Sequence, residues 1–221
     1  MLSKIYPYRF EMFLMSQLAI LFGSLVVPPQ LFESFFAPIL FQLNIFSGII
    51  LLSKKRKLMW FLVILLVIVG VVYGITKTSI DSQKSISIIQ MGAYFLFYLI
   101  ITRELIYQVW KAENVNRKVI LGLISGYISL GLIGFFICLS IEISYPDSFT
   151  NLEVIGQTQD IAERLMYFSY ITLLTIGYGD IHPVTVLAQK ASILIGLMGQ
   201  FYLVILTALI VGKYLNQKMS R

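Results

Sequence analysis

Two stretches of this chain are too long and too apolar for a soluble core of ordinary size. Leu58 to Thr76 runs nineteen residues without a charge, and Val119 to Ile141 runs twenty-three. About twenty apolar residues in a helix cross a hydrocarbon layer roughly 30 Å thick. Inside that layer only a helix or a closed barrel satisfies its own backbone. Composition agrees: 58% of residues are hydrophobic and 13% charged, against roughly 45–50% and 25% in soluble domains. Mean hydropathy is +0.84. Aromatic residues at 14% and a single cysteine exclude disordered, collagen-like and disulfide-stapled classes. That cysteine, Cys138, sits within an apolar run and reads as a small buried side chain.

Six spans are expected: Met12–Val27, Phe35–Leu52, Leu58–Thr76, Ser87–Thr102, Val119–Ile141 and Val184–Val211. A shorter apolar stretch, Ile161–Leu174, precedes the last of them. It is too short to cross and return, so a re-entrant helix buried by protein is the natural reading. The expected division is 1–102 as a four-helix transmembrane domain, 103–118 as an interfacial linker helix and 119–221 as a pore domain. Leu105, Ile106, Val109 and Trp110 share one face of the linker. That face suits a helix on the inner membrane surface, or a coupler between the first four spans and the last two. Lys4 and Arg9 would fit a secretory leader, but no small-residue cleavage pattern follows Val27. About ten residues follow Val211, so no cytoplasmic ligand-binding domain is expected here.

Basic residues orient the spans. With the amino terminus inside, thirteen of the seventeen Lys and Arg residues fall on the cytoplasmic side, including the run Lys54-Lys55-Arg56-Lys57. Lys77, Lys84, Arg164 and Lys190 are left outside. Loop charge of this asymmetry places both termini in the cytoplasm. The net charge of +6 is therefore a topology signal, and no nucleic-acid partner is expected. Trp60 and Trp110 fall near the inner interface, where aromatic anchors belong.

Chemistry concentrates after the re-entrant helix, in Thr172-Leu173-Leu174-Thr175-Ile176-Gly177-Tyr178-Gly179-Asp180. A cation leaving water must trade hydration oxygens for protein oxygens at little net cost, and rings of backbone carbonyls do this if the chain aims each one at a common axis. Gly177 and Gly179 supply the freedom of backbone angle that such aiming needs. Thr175 can add a hydroxyl ring, and Tyr178 can point outward and hold the aperture open.

TIGYGD at 175–180, with the pore-helix aromatics from Tyr167 and the trailing His182-Pro183-Val184-Thr185, resembles the selectivity filter of tetrameric potassium channels. The resemblance implies an all-α membrane protein of six transmembrane helices plus a re-entrant pore helix and filter. It further implies that Thr175, Ile176, Gly177, Tyr178 and Gly179 form the K+ sites, with K+ coordinated at Thr175 to Tyr178. One chain would supply a quarter of each ring, so a homotetramer follows. Asp180, Tyr167 and Thr172 would support the filter, and His182 would ring the outer mouth, where external blockers act. Gly199 matches the position where relatives bend the inner helix. Together with Gly196 it is a hinge candidate, close packing by small residues being the alternative.

Some relatives pair a pore-helix glutamate with the aspartate after the filter. Here Ile171 stands at that place, which leaves Asp180 a different partner, Tyr167 being the candidate. Asp160 and Glu163 have the spacing of a helix-capping pair, or are solvated loop acids. The far end of that helix would present its partial negative charge to a cation. Glu142, Asp147 and Glu153 would make the mouth acidic and concentrate cations there.

The first four spans lack the charges of a voltage sensor. Each gating charge is worth about 2.3 kcal/mol per 100 mV, and Ser85 to Thr102 contains none; Arg103 stands alone at the edge. Gln42, Asn44 and Gln90 are expected to bond between helices rather than to a ligand. No cofactor beyond permeant K+ and no enzymatic activity is expected, because nucleotide loops, metal clusters and nucleophile–base pairs are absent from the sequence. Membrane lipids and an unidentified regulatory ligand or subunit are the remaining partners, and a bacterial plasma membrane is the expected setting. A weakly selective monovalent cation channel and a potassium uptake transporter subunit are the rivals. Four mouth histidines could respond to pH or bind a divalent metal, and in the first case single-channel current changes between external pH of about 5.5 and 8. A flat response makes His182 an ordinary polar surface residue.

Overall fold

A computed structural model of the chain describes residues 6–28, 31–76, 83–152 and 161–219. Lys4, Lys77, Glu153, Asp160 and Arg221 lie outside them. The described residues are helical apart from short links and one isolated bridge, Phe149–Pro183. The α-helices are α1 (Arg9–Phe22), α2 (Ala37–Leu51), α3 (Arg56–Thr76), α4 (Gln83–Lys111), α5 (Arg117–Ser144), α6 (Ile161–Leu173), α7 (Val186–Phe201) and α8 (Thr207–Met219). Two compact units divide the chain, Met1–Ile101 and Thr102–Arg221.

Three described helices are long and apolar enough to cross a membrane: Ile89–Lys111, Arg117–Ser144 and the run Val186–Met219. The first two expected spans contain shorter α-helices, α1 of 14 residues and α2 of 15. Helical turns of other pitch lengthen them, 3-10 at Tyr6–Tyr8 and Gly23–Leu25 and π at Phe32–Phe36.

The linker segment differs from expectation. Residues 103–111 are the last turns of α4, not a separate helix, and 112–116 are non-helical. No Gly or Pro interrupts the chain between Gly92 and Lys111, and the buried positions Tyr98, Ile101, Leu105 and Val109 continue at helical spacing. Nothing therefore stops the helix at Thr102. Asn116 starts α5 by accepting the Val119 N–H at 3.1 Å, an ordinary N-cap bond.

In the first unit, α1 packs on α2 and α2 on α3. Phe13, Ile45, Leu62, Val69 and Phe97 are fully buried. A Cβ at Gly48 would lie 2.6 Å from the Phe97 ring, so the glycine lets that ring approach α2. Asn44, equally buried, joins three helices. Its Nδ2 donates to Ser16 Oγ at 2.7 Å, and its Oδ1 accepts from the Tyr98 hydroxyl at 2.9 Å. Gln90 behaves differently: its Nε2 lies 3.5 Å from Tyr94 Oη, one turn along its own helix.

In the second unit, α5 packs on both α6 and α7, and α6 on α7. Small residues on α5 admit the large ones opposite: Gly131 faces the Tyr170 ring, Gly134 faces Ser169 and Ile195, and Gly126 faces the Tyr202 hydroxyl. The admitted hydroxyls bond the α5 backbone, Tyr170 to Ile128 O at 2.7 Å, Ser169 to Gly131 O at 2.7 Å and Tyr202 to Leu123 O at 2.6 Å. A carbonyl has two lone pairs, so each can accept this bond beside its helical one. The final helix is interrupted by a π turn, Tyr202–Leu206, which periodicity in the sequence did not signal.

Replacing Asn44 with Leu removes its bonds to the Tyr98 and Ser16 hydroxyls and should cost about 1–2 kcal/mol in a membrane. A lowered Tm of the purified full chain checks this, with Gln90→Leu expected to lower it less.

Candidate ion-conduction site

The site begins where α6 ends. Glu163 lies in the first turn of that helix, where the positive end of the peptide dipoles favours an acid. Its 13 residues make a rod about 20 Å long at 1.5 Å per residue. Past Leu173 the chain turns back on the helix. The N–H groups of Leu174, Thr175 and Ile176 donate to the carbonyls of Tyr170, Thr172 and Ile171 at 2.8, 3.1 and 2.8 Å. Gly177 N–H also reaches Ile171 O, at 3.3 Å.

This arrangement aims the next carbonyls. In a planar trans peptide the C=O points opposite to the following N–H, and the described residues contain no cis bond. Because the N–H groups of 175, 176 and 177 point back at α6, the carbonyls of Leu174, Thr175 and Ile176 point away from it. Left-handed φ angles at alternate residues keep the run going: Thr175 at 58°, Gly177 at 59° and Gly179 at 80°. The two glycines carry this without cost. Thr175 does not, since a β-branched residue rarely adopts such an angle. Sequence reading assigned that conformational demand to the glycines alone. The signal for Thr175 was the period of two that begins there.

Residues 174–180 are all exposed, and Tyr178 is 71% exposed. Its own chain does not cover the ring that was expected to hold the aperture. The final helix shows the same exposure. Its apolar window is 22% buried, against 61% for Arg117–Ser144.

A second set of contacts holds the outer end. The Glu142 carboxylate accepts three backbone N–H groups, from Asp147 at 2.8 Å, Ser148 at 3.1 Å and Phe149 at 3.2 Å. Glu142 is thus a loop anchor as well as an acid near the mouth. The anchored loop pairs with the segment after the filter, Val184 N–H to Ser148 O at 2.8 Å and Thr150 N–H to His182 O at 2.9 Å. Asn151 Nδ2 donates to the Asp180 carbonyl at 2.8 Å. Phe149 meets Phe168 of α6 edge-on at 5.2 Å.

Among the residues singled out from sequence, the Tyr167 and Asp180 side chains lie close enough to interact. Ile171 is buried at 6% exposure and offers no charge there. Thr172 contributes its carbonyl to the turn that opens the filter. His182 is exposed, with Nδ1 3.5 Å from Thr150 Oγ1 and its N–H donating to the same hydroxyl at 3.3 Å. Gly196 and Gly199 separate. A Cβ at Gly196 would meet nothing within 4 Å, whereas one at Gly199 would run into the Leu173 carbonyl. Gly199 is therefore a packing position against the last turn of α6. No group of three or more His, Cys, Asp or Glu that could hold a metal occurs among the described residues.

Residues 123–216, covering the 174–180 turn and most of its flanking helices, match the model of a family described as ion channel. No curated protein and no solved structure matches the chain. The family match supports an ion channel, and with the long apolar helices it supports a membrane protein.

Gly199→Ala forces its methyl against the backbone of Leu173 and should destabilise the protein by roughly 1–3 kcal/mol. Gly196→Ala should leave Tm within the error of measurement, as thermal melts of both variants would show.

Proposed function

We propose that the chain forms a homotetrameric, potassium-selective pore that conducts passively across a membrane. One observation carries the reading: a run of carbonyls turned to one side by alternating backbone angles, on a face that its own chain leaves uncovered. A single copy supplies only an open strip of oxygens, and four copies around an axis close the strip into rings. The sparsely buried final helix supports the same assembly, since the copies would cover it. The ion sites would be the carbonyls of Thr175, Ile176, Gly177 and Tyr178, with Gly179 shaping the outermost turn and the Thr175 hydroxyl below. Each ring would replace part of the hydration shell that a cation gives up on entry.

The first unit would complete a six-span subunit with both termini in the cytoplasm. Voltage would have little purchase on it, because Ile89 to Thr102 contains no charged residue. Open probability is accordingly expected to be flat in voltage.

Purified protein in planar bilayers, with potassium on one side and sodium on the other, tests both claims. Reversal near the potassium equilibrium potential, with voltage-independent opening, is the expected result. Reversal near zero would leave a weakly selective cation channel and remove the selectivity claim. Native mass spectrometry should find four copies.

A further inference from the structure

The end of α6 can be accounted for carbonyl by carbonyl. A helix leaves its last four carbonyls without helical donors. Here Tyr170 O takes Leu174 N–H, Ile171 O takes those of Ile176 and Gly177, and Thr172 O takes that of Thr175. Leu173 O receives a side chain, the hydroxyl of Tyr127 from α5 at 3.3 Å. Leu173 is fully buried. The same carbonyl also lies against Gly199 of α7, where no Cβ would fit. The last peptide of the pore helix is thus wedged between the two helices that flank it, two residues before the first left-handed angle of the filter.

Tyr127 is itself held. Its ring lies against the Tyr202 ring, with centroids 5.4 Å apart at 41°. Tyr202 opens the π turn, and its hydroxyl is fixed on Leu123 O, one helical turn before Tyr127. One aromatic pair therefore touches both the base of the filter and the irregular turn of the final helix.

We propose that Tyr127 is a positioning residue for ion selection: its hydroxyl fixes the peptide from which the filter departs. The inference rests on the reading of 175–179 as a potassium filter. Where that departing peptide is free to rotate, the carbonyls beyond it can close around a smaller ion, and discrimination against sodium falls. Conservative variants separate the hydroxyl from the ring. Tyr127→Phe keeps the ring and removes the one bond. Tyr202→Phe removes a shorter bond, 2.6 Å against 3.3 Å, that does not touch the filter.

The measurement is the reversal potential of the purified full chain between potassium and sodium solutions. The difference in Tm between the two salts provides a second readout that needs no current. Tyr127→Phe should lower the potassium-to-sodium permeability ratio about tenfold, the effect of leaving one buried carbonyl without its donor. It should also shrink the stabilisation by potassium, and Tyr202→Phe should preserve both. An unchanged ratio in Tyr127→Phe, or an equal fall in Tyr202→Phe, would overturn the proposal. So would failure of Tyr127→Phe to assemble, which would make the residue purely structural. A wild-type ratio near one would instead remove the potassium reading on which it stands.

Discussion

A buried carbonyl needs a donor, and much of the second unit is arranged around that requirement at one helix end. The N–H groups of 174–177 turn back to cap α6, and by doing so they turn the following carbonyls away from it. Capping a helix and presenting a row of unpaired oxygens are here the same event. Free oxygens in an apolar setting are costly unless something else completes their coordination. On the proposed reading, a permeant cation and three further copies would complete that coordination.

The strip is held from both ends by different chemistry. At its base the contacts are packing and hydroxyl bonds: Gly199 against Leu173 O, Tyr127 on the same carbonyl, and Tyr170 and Ser169 on the backbone of α5. At its outer end they are charge-assisted or peptide bonds, from the Glu142 carboxylate through the 147–151 loop to Asp180 and His182. Tyr167 lies close enough to interact with Asp180, and Ile171, buried, offers no charge there.

The first unit shows a different economy. Its contacts between helices are mostly apolar, and the Asn44–Ser16–Tyr98 network fixes register among α1, α2 and α4 where hydrocarbon packing alone would be permissive. Gln90, equally polar in sequence, bonds within its own helix. The two amides thus have different roles, Asn44 fully buried between helices and Gln90 only partly buried.

The amino-acid sequence alone determined the long uncharged helices, the short helix before the filter and the position of the glycines, because hydrocarbon thickness and backbone freedom act on local composition. It also marked Tyr167 as the candidate partner for Asp180, since the missing acid at Ile171 left that carboxylate to another donor. Tertiary structure alone decided the left-handed angle at Thr175, the three N–H groups on Glu142 and the contrast between Gly196 and Gly199. Each of these depends on an atom supplied from elsewhere in the fold: a carbonyl of α6 behind Gly199, a loop N–H beside Glu142, a helix turn that receives the filter amides. Local sequence carries the spacing of such groups, but the identity of the neighbour is set only when the helices meet.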